Sequence, residues 1–297
     1  MAPKIQIPDA LKSDLPPNKW GKILGVTPII MTVIATMLAG LASSEMTKAQ
    51  YDRAYAAQLQ SKAGDQWSYF QAKKLRSASA QNMLDLLLAT TDVSSSGVVA
   101  IQKNADAATV AALVETKLPA ADAATFGDNI NAALTALQNS QPESEIDAAL
   151  AKVSAKDLAD ALVSAQNAAT AFDTAAKPIN KAVDKLDVTI LNGDDKTAAH
   201  YFAAAHLRYT AARYDTEARL NAAIGSLYEL QVRQNNVSAE HHHRRSAKFF
   251  YGMLAAQMAV IISTFAIAAR QRSFLWSIAA AAGAAAIGFA AYVFLYV

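Results

Sequence analysis

The chain has 297 residues, 53% of them hydrophobic, and a mean hydropathy of +0.13. Its 27 basic and 25 acidic residues leave a net charge of +2, so nothing in the charge balance points to nucleic acid as a partner. With no cysteine it has no disulfide, thiolate nucleophile or cysteine metal site, and 11 glycines and 8 prolines in an alanine-rich chain are a helical composition.

Residues 1–19 carry Pro3, Pro8, Pro16 and Pro17 among scattered charges and read as an irregular N-terminal arm. A first transmembrane helix is expected at 20–44. Trp20, Lys19 and Lys22 stand where an interfacial aromatic and snorkelling lysines belong. Residues 23–44 contain 22 positions without a charge. At about 1.5 Å per residue that is roughly 33 Å, enough to cross a hydrocarbon core of about 30 Å. The run exceeds the roughly 7–15 apolar residues of a signal-peptide core, so it reads as a retained span. Pro28 is expected to kink it.

The helix continues without a strong breaker as an ascending stalk, 45–94. Tyr51, Tyr55, Leu59, Ala63, Trp67 and Phe70 recur at spacings of three and four and predict the stripe that meets a partner helix. Thr90 to Gly97 breaks the pattern. An alanine-rich helical insert follows at 95–190, with helices expected at about 105–117, 122–139, 143–152 and 155–186. Ser140 with Glu143, and Ser154 with Asp157, fit reciprocal capping pairs. Asn192-Gly193 predicts a turn, and Asp194 or Asp195 a cap for the next helix. That helix is a descending stalk, 191–248, with a local break expected at Asn235-Asn236. It leads into a second span at 249–269, a basic turn at 270–272 and a third span at 273–297.

Three spans place the arm and the basic turn on one side of the bilayer and residues 45–248 on the other. Lys4, Lys12, Lys19, Lys22, Arg270 and Arg272 lie in or beside short segments. Lys48, Arg53, Lys62, Arg233, Arg244, Arg245 and Lys248 belong to the large domain. Short loops decide orientation more than large domains do, so the expectation is a bacterial inner membrane, cytoplasmic or intracytoplasmic, with the helical domain periplasmic.

Residues 64–73 read GDQWSYFQAK, on the helix that leaves the first span through Ser44-Glu45-Met46. Residues 241–276 read HHHRRSAKFFYGMLAAQMAVIISTFAIAARQRSFLW. Together they resemble a bacterial family of membrane proteins of unknown function. Its hallmarks are an N-terminal span, a D-Q-W-x-(Y/F)-(Y/F)-Q-A-K motif on the next helix and a C-terminal hairpin of two spans. The resemblance covers roughly 20–90 and 195–297. It implies topology and carries no activity, and the alanine-rich insert departs from the shorter one of the family.

Several residues are candidates for interaction. Asp65, Gln66, Trp67, Tyr69, Phe70 and Gln71 combine aromatic and amide groups. The expectation is an interhelical contact in which Trp67 and Phe70 pack while Gln66 or Gln71 bonds across; the alternative is a partner surface. His241, His242 and His243 beside Arg244 and Arg245 predict a wet, cationic collar that meets anionic headgroups. Adjacent helical side chains point about 100° apart and do not close on one metal ion unaided. Gln257, inside the second span, is expected to bond to a neighbouring helix. Ala279, Gly283, Ala284 and Gly288 offer small faces for close packing.

No P-loop, G-x-G-x-x-G, H-E-x-x-H or G-x-S-x-G pattern occurs. No cofactor is expected. The fold expected is all-α: three transmembrane helices, a long antiparallel helical stalk and an alanine-rich insert. The function expected is a non-enzymatic membrane scaffold or accessory subunit, with the lipid bilayer and either copies of itself or a larger membrane complex as partners. The alternative is a sensor whose extracytoplasmic domain binds a ligand. Charge-free spans oppose a transporter.

Overall fold

The computed structural model describes residues 19–120, 126–191, 193–268 and 272–296. The arm before residue 19, the opening of the helix expected at 122–139, Asn192 of the turn, and residues 270 and 271 of the basic turn lie outside the described residues. Among the described residues every regular element is helical. In chain order they are α1 (Lys19–Thr90), a 3₁₀ turn (Ser95–Gly97), α2 (Val98–Asn104), α3 (Ala107–Val114), α4 (Asp128–Gln138), α5 (Glu143–Leu150), α6 (Ala155–Leu191), α7 (Lys196–Ala268) and α8 (Arg272–Tyr296).

Local chemistry explains the boundaries. Asp106 accepts from the Thr109 amide at 2.7 Å and starts α3, so the single helix expected at 105–117 is shorter and is preceded by α2. Asp195 accepts from the amides of Thr197 and Ala198, both at 3.0 Å, and starts α7. Ser154 accepts from the Asp157 amide at 3.0 Å at the head of α6. Ser140 does not cap α5. Its φ of 50° places it in the left-handed region after α4, and Pro142 precedes α5 with Glu143 and Glu145 in the first turn, where negative charge suits the helix dipole. Asn235-Asn236 does not break α7, which is helical throughout. Pro28 and Pro178 are accommodated inside α1 and α6.

The chain divides into two compact units: Met1–Ala54 with Asn235–Val297, and Tyr55–Gln234. Helices α1 and α7 contribute residues to both.

In the first unit, α1 buries Ala35, Leu38, Ala42, Glu45 and Ala49, alternating spacings of four and three. The core joins Ala35, Leu38 and Ala42 of α1 to Phe249 and Ala256 of α7 and Ala286 of α8. The seam is made of small residues because they let backbones approach. Ser246 donates to the carbonyl of Ala42 at 2.7 Å, and a Cβ on Gly252 would lie 3.4 Å from both Leu38 and Phe289. The outer surface is apolar: Val26, Ile30, Val33, Met37, Met258, Ile261, Phe265, Ile287 and Phe289 are exposed. Three helices here are long and apolar enough to cross a membrane, and only 22%, 28% and 17% of their apolar stretches is buried within the protein. So much outward-facing apolar surface identifies a multi-pass membrane protein.

In the second unit, one core gathers Ala56, Leu59 and Ala63 of α1, Ile130, Ala133 and Leu134 of α4, Ile146 and Leu150 of α5, Leu158 and Ala165 of α6, and Ile224, Leu227 and Leu230 of α7. Another joins Ile101 of α2 and Leu113 of α3 to Ile179, Val183 and Leu186 of α6 and Phe202 and Tyr209 of α7. Helices α6 and α7 run antiparallel. Tyr209 donates to Asn180 Oδ1 at 2.7 Å, and Gln166 donates to the Tyr228 hydroxyl at 3.0 Å. Helices α1 and α7 also run antiparallel, with Ser77 bonded to the Ala211 carbonyl at 2.8 Å and Lys74 paired with Asp215 at 2.5 Å.

The predicted stripe on α1 requires one correction. Tyr51 and Tyr55 are exposed, at 69% and 41%. The buried positions near them are Ala49 in the first unit and Ala56 in the second, where Leu59 and Ala63 of the expected stripe are buried as well. A helix that packs closely takes the methyl group into its seam and turns the phenol ring outward.

Candidate functional site

The 65–71 segment lies on α1 in the second unit. Trp67 donates its indole N–H to Glu229 Oε1 on α7 at 2.8 Å. The ring rests on Gly225, where a Cβ would come within 3.3 Å of the indole, and Phe70 meets it edge-on at 5.5 Å. Gln66 packs its Cβ near Gly225, but its Oε1 is buried without a donor, and Gln71 is exposed. The polar bond across the helices is therefore made by the indole and a carboxylate, not by either glutamine. Asp65 and Tyr69 face solvent. Glu229 was absent from the sequence candidates; its signal is its place four residues after Gly225, on the same face of α7.

The histidine cluster lies on α7 in the first unit. His242 donates from Nδ1 to Glu45 Oε2 on α1 at 2.6 Å, and Lys48 donates to Glu45 Oε1 at 3.0 Å. Arg245 Nε lies 3.9 Å from Glu45 Oε2. The Glu45 side chain is only 8% exposed. Burial pushes its carboxyl up, but hydrogen bonds from His242 and Lys48, with the charges of Arg245 and Lys48, outweigh it and hold the group below the usual carboxylate range. The collar is thus divided. His241 and Arg244 are exposed, with Arg244 paired to Glu240 at 2.9 Å, whereas His242 and Arg245 turn inward on Glu45. His243 is half-buried, its Nδ1 without a partner. Among the described residues no three histidine, aspartate or glutamate side chains converge to hold a metal ion.

Gln257 also departs from expectation. It is exposed and makes no hydrogen bond to any described residue. It borders a groove of about 440 Å³ between α1 and α7, lined by Thr32, Ala35, Thr36, Ala39, Val260 and Ile261. The two threonine hydroxyls are already satisfied by carbonyls one turn back, Thr32 on Pro28 at 2.8 Å and Thr36 on Thr32 at 2.9 Å.

On α8 the small residues split between two faces. Ala279, Gly283 and Ala286 are buried, and a Cβ on Gly283 would meet the Met31 sulfur at 2.8 Å. Ala284 and Gly288 are exposed, and nothing lies within 4 Å of a Cβ built on Gly288.

No protein-family model, curated protein or solved structure matches the chain.

Proposed function

We propose that this protein is a non-enzymatic scaffold or accessory subunit of a bacterial inner membrane, cytoplasmic or intracytoplasmic. It self-associates, or braces a larger membrane complex, through its spans and helical stalk. Its helical domain is periplasmic in this reading, supported by the cations of the short arm and turn. The family of unknown function that residues 64–73 and 241–276 resemble is consistent with such a part.

The observation that carries the reading is Gln257. An amide with two donors and an acceptor faces outward from a span, and among the described residues it has no hydrogen-bond partner. Hydrocarbon offers it none, and polar side chains in membranes act as bonds between helices. A second copy supplies the same amide, and two glutamines related by a two-fold axis satisfy each other reciprocally. Ala35 and Ala39 floor the adjoining groove and leave room for an approaching helix.

The cysteine-free chain makes the test direct, because one introduced cysteine is the only thiol. In nanodiscs, Ile261→Cys at the groove is expected to form a disulfide-linked dimer, Ile287→Cys on α8 is not, and Gln257→Leu is expected to abolish the dimer. A native mass of one chain with no other subunit would overturn the proposal.

A second reading is a membrane sensor whose helical domain binds a ligand. Three cations, Lys73, Arg76 and Arg213, gathered at the ring of Tyr214 on α7 with Glu217 as their one paired carboxylate among the described residues, favour it.

A further inference from the structure

Tyr214 on α7, in the second unit, has three cations at its ring. Lys73 Nζ of α1 lies 5.0 Å from the ring centroid, Arg76 Cζ of α1 5.6 Å, and Arg213 Cζ of α7 4.5 Å. Among the described residues only one carboxylate pairs with any of the three. Glu217 forms an ion pair with Lys73 and lies 3.7 Å from Arg213 Nε. Three positive charges against one negative leave an excess of +2. The neighbouring group does not correct it: Asp215 pairs with both Lys74 at 2.5 Å and Arg219 at 3.3 Å, two cations against one carboxylate.

These charges are not all solvated. The side chains of Arg213 and Glu217 are 17% and 15% exposed, and that of Lys73 is 27% exposed. Arg213 Nε is fully buried and has no hydrogen-bond acceptor. The ring quadrupole attracts each cation but neutralises none. Like charges held this close repel more strongly as water is withdrawn. What this local excess of positive charge lacks is a compact anion, reached by the parts of these side chains that remain open to water. Guanidinium groups present N–H pairs that match the oxygen spacing of phosphate, and a lysine adds a point charge.

We propose that Arg213, Arg76 and Lys73, gathered at Tyr214, form a binding site for a phosphoryl-class dianion. The occupant is free phosphate or a soluble phosphomonoester, because Lys73 and Arg76 lie about 30 residues, roughly 45 Å of continuous helix, beyond the end of the first span. Arg213 and Arg76 donate to its oxygens, and Lys73 supplies charge from its pair with Glu217. The site stands whether the chain is a scaffold or a sensor.

The test is calorimetric titration of the full chain, in phosphatidylcholine nanodiscs, with inorganic phosphate against sodium chloride at matched ionic strength. Saturable binding of phosphate alone is expected. Arg76→Gln should weaken it about tenfold, the loss of one charge-assisted hydrogen bond, and Arg213→Gln should weaken it further. Arg219→Gln, on the neighbouring pair, should leave it unchanged. Arg76 is exposed, so its variant keeps the test valid if Arg213→Gln does not fold. Heat that follows ionic strength without saturating, or phosphate binding undiminished in Arg76→Gln, overturns the proposal.

Discussion

The indole N–H of Trp67 and the carboxylate of Glu229 meet at 2.8 Å across two helices, between residues 162 positions apart. The pair fixes the register of α1 against α7 in the second unit, because a slip of one residue removes the acceptor and drives the ring off Gly225. Trp67 is half-buried, so Trp67→Ala is expected to destabilise the protein by about 2–4 kcal/mol, less than emptying a fully buried site. Trp67→Phe keeps most of the packing but strands the carboxylate, and should lose about 1–3 kcal/mol. Glu229→Gln retains an acceptor and should lose less than Trp67→Phe. Denaturation followed by helical circular dichroism measures all three. A loss under about 1 kcal/mol for Trp67→Ala would mean that the ring serves a partner instead.

Two glycines are expected to respond in opposite senses. A Cβ on Gly97 would sit 2.4 Å from Tyr201 Cβ and 2.9 Å from the Thr197 carbonyl oxygen, both close to fixed backbone. Gly97→Ala should therefore destabilise by about 1–3 kcal/mol through overpacking. A Cβ on Gly64 meets nothing within 4 Å. Gly64→Ala, inside α1, should stabilise by about 0.5–1 kcal/mol through helix propensity. Melting temperatures of the two variants check the contrast.

Glu45 organises the inward half of the histidine cluster. Removing it leaves His242 without its acceptor and Arg245 without its nearest anion, so Glu45→Ala should destabilise by about 1–3 kcal/mol. The pH dependence has a definite sign. A carboxyl held below its ordinary 4.5 contributes stability that is present above that value and lost as pH falls through the folded one. Unfolding measured on acidification below about 4.5 should show a smaller loss in Glu45→Ala than in the parent.

His206 predicts a separate acid response in the second unit. Burial first, with the charge of Arg213, holds its imidazole below the ordinary 6.5, while Asp187 and Asp184 pull the other way. The unfolded chain therefore takes up this proton first as pH falls. Stability should decrease as pH is lowered below about 6.5, until the folded state also binds the proton. His206→Gln should flatten the dependence of melting temperature on pH across that window.

Much of the architecture was legible because it rests on local properties. Three uncharged runs, a scarcity of breakers and caps such as Asp195 and Ser154 state where helices run, and the long alternation along 45–89 states that α1 needs a partner. The same signals misled where two periodicities compete. Leu59 and Ala63 of the expected stripe are buried, but Tyr51 and Tyr55 continue it as plausibly in sequence as Ala49 and Ala56 do, and only the distance between packed backbones prefers the methyl groups there.

The candidate sites were less legible because each depends on a residue far away in the chain. The motif around Trp67 stood out as a row of aromatics and amides, yet Glu229 completes it. The histidines stood out as a basic run, yet Glu45 divides them. Gln257 shows the limit most plainly. Its place inside an apolar run says that it must bond to something, and only the packing of α1 against α7 reveals that its amide faces outward, with no hydrogen-bond partner among the described residues. Hydropathy and helical period, summed over neighbours along the chain, determined the membrane class, the helices and their order. Which face each helix buries, and which polar groups that burial leaves unmatched, was decided by tertiary packing, because desolvation and hydrogen bonding act between residues that meet only after the chain has folded.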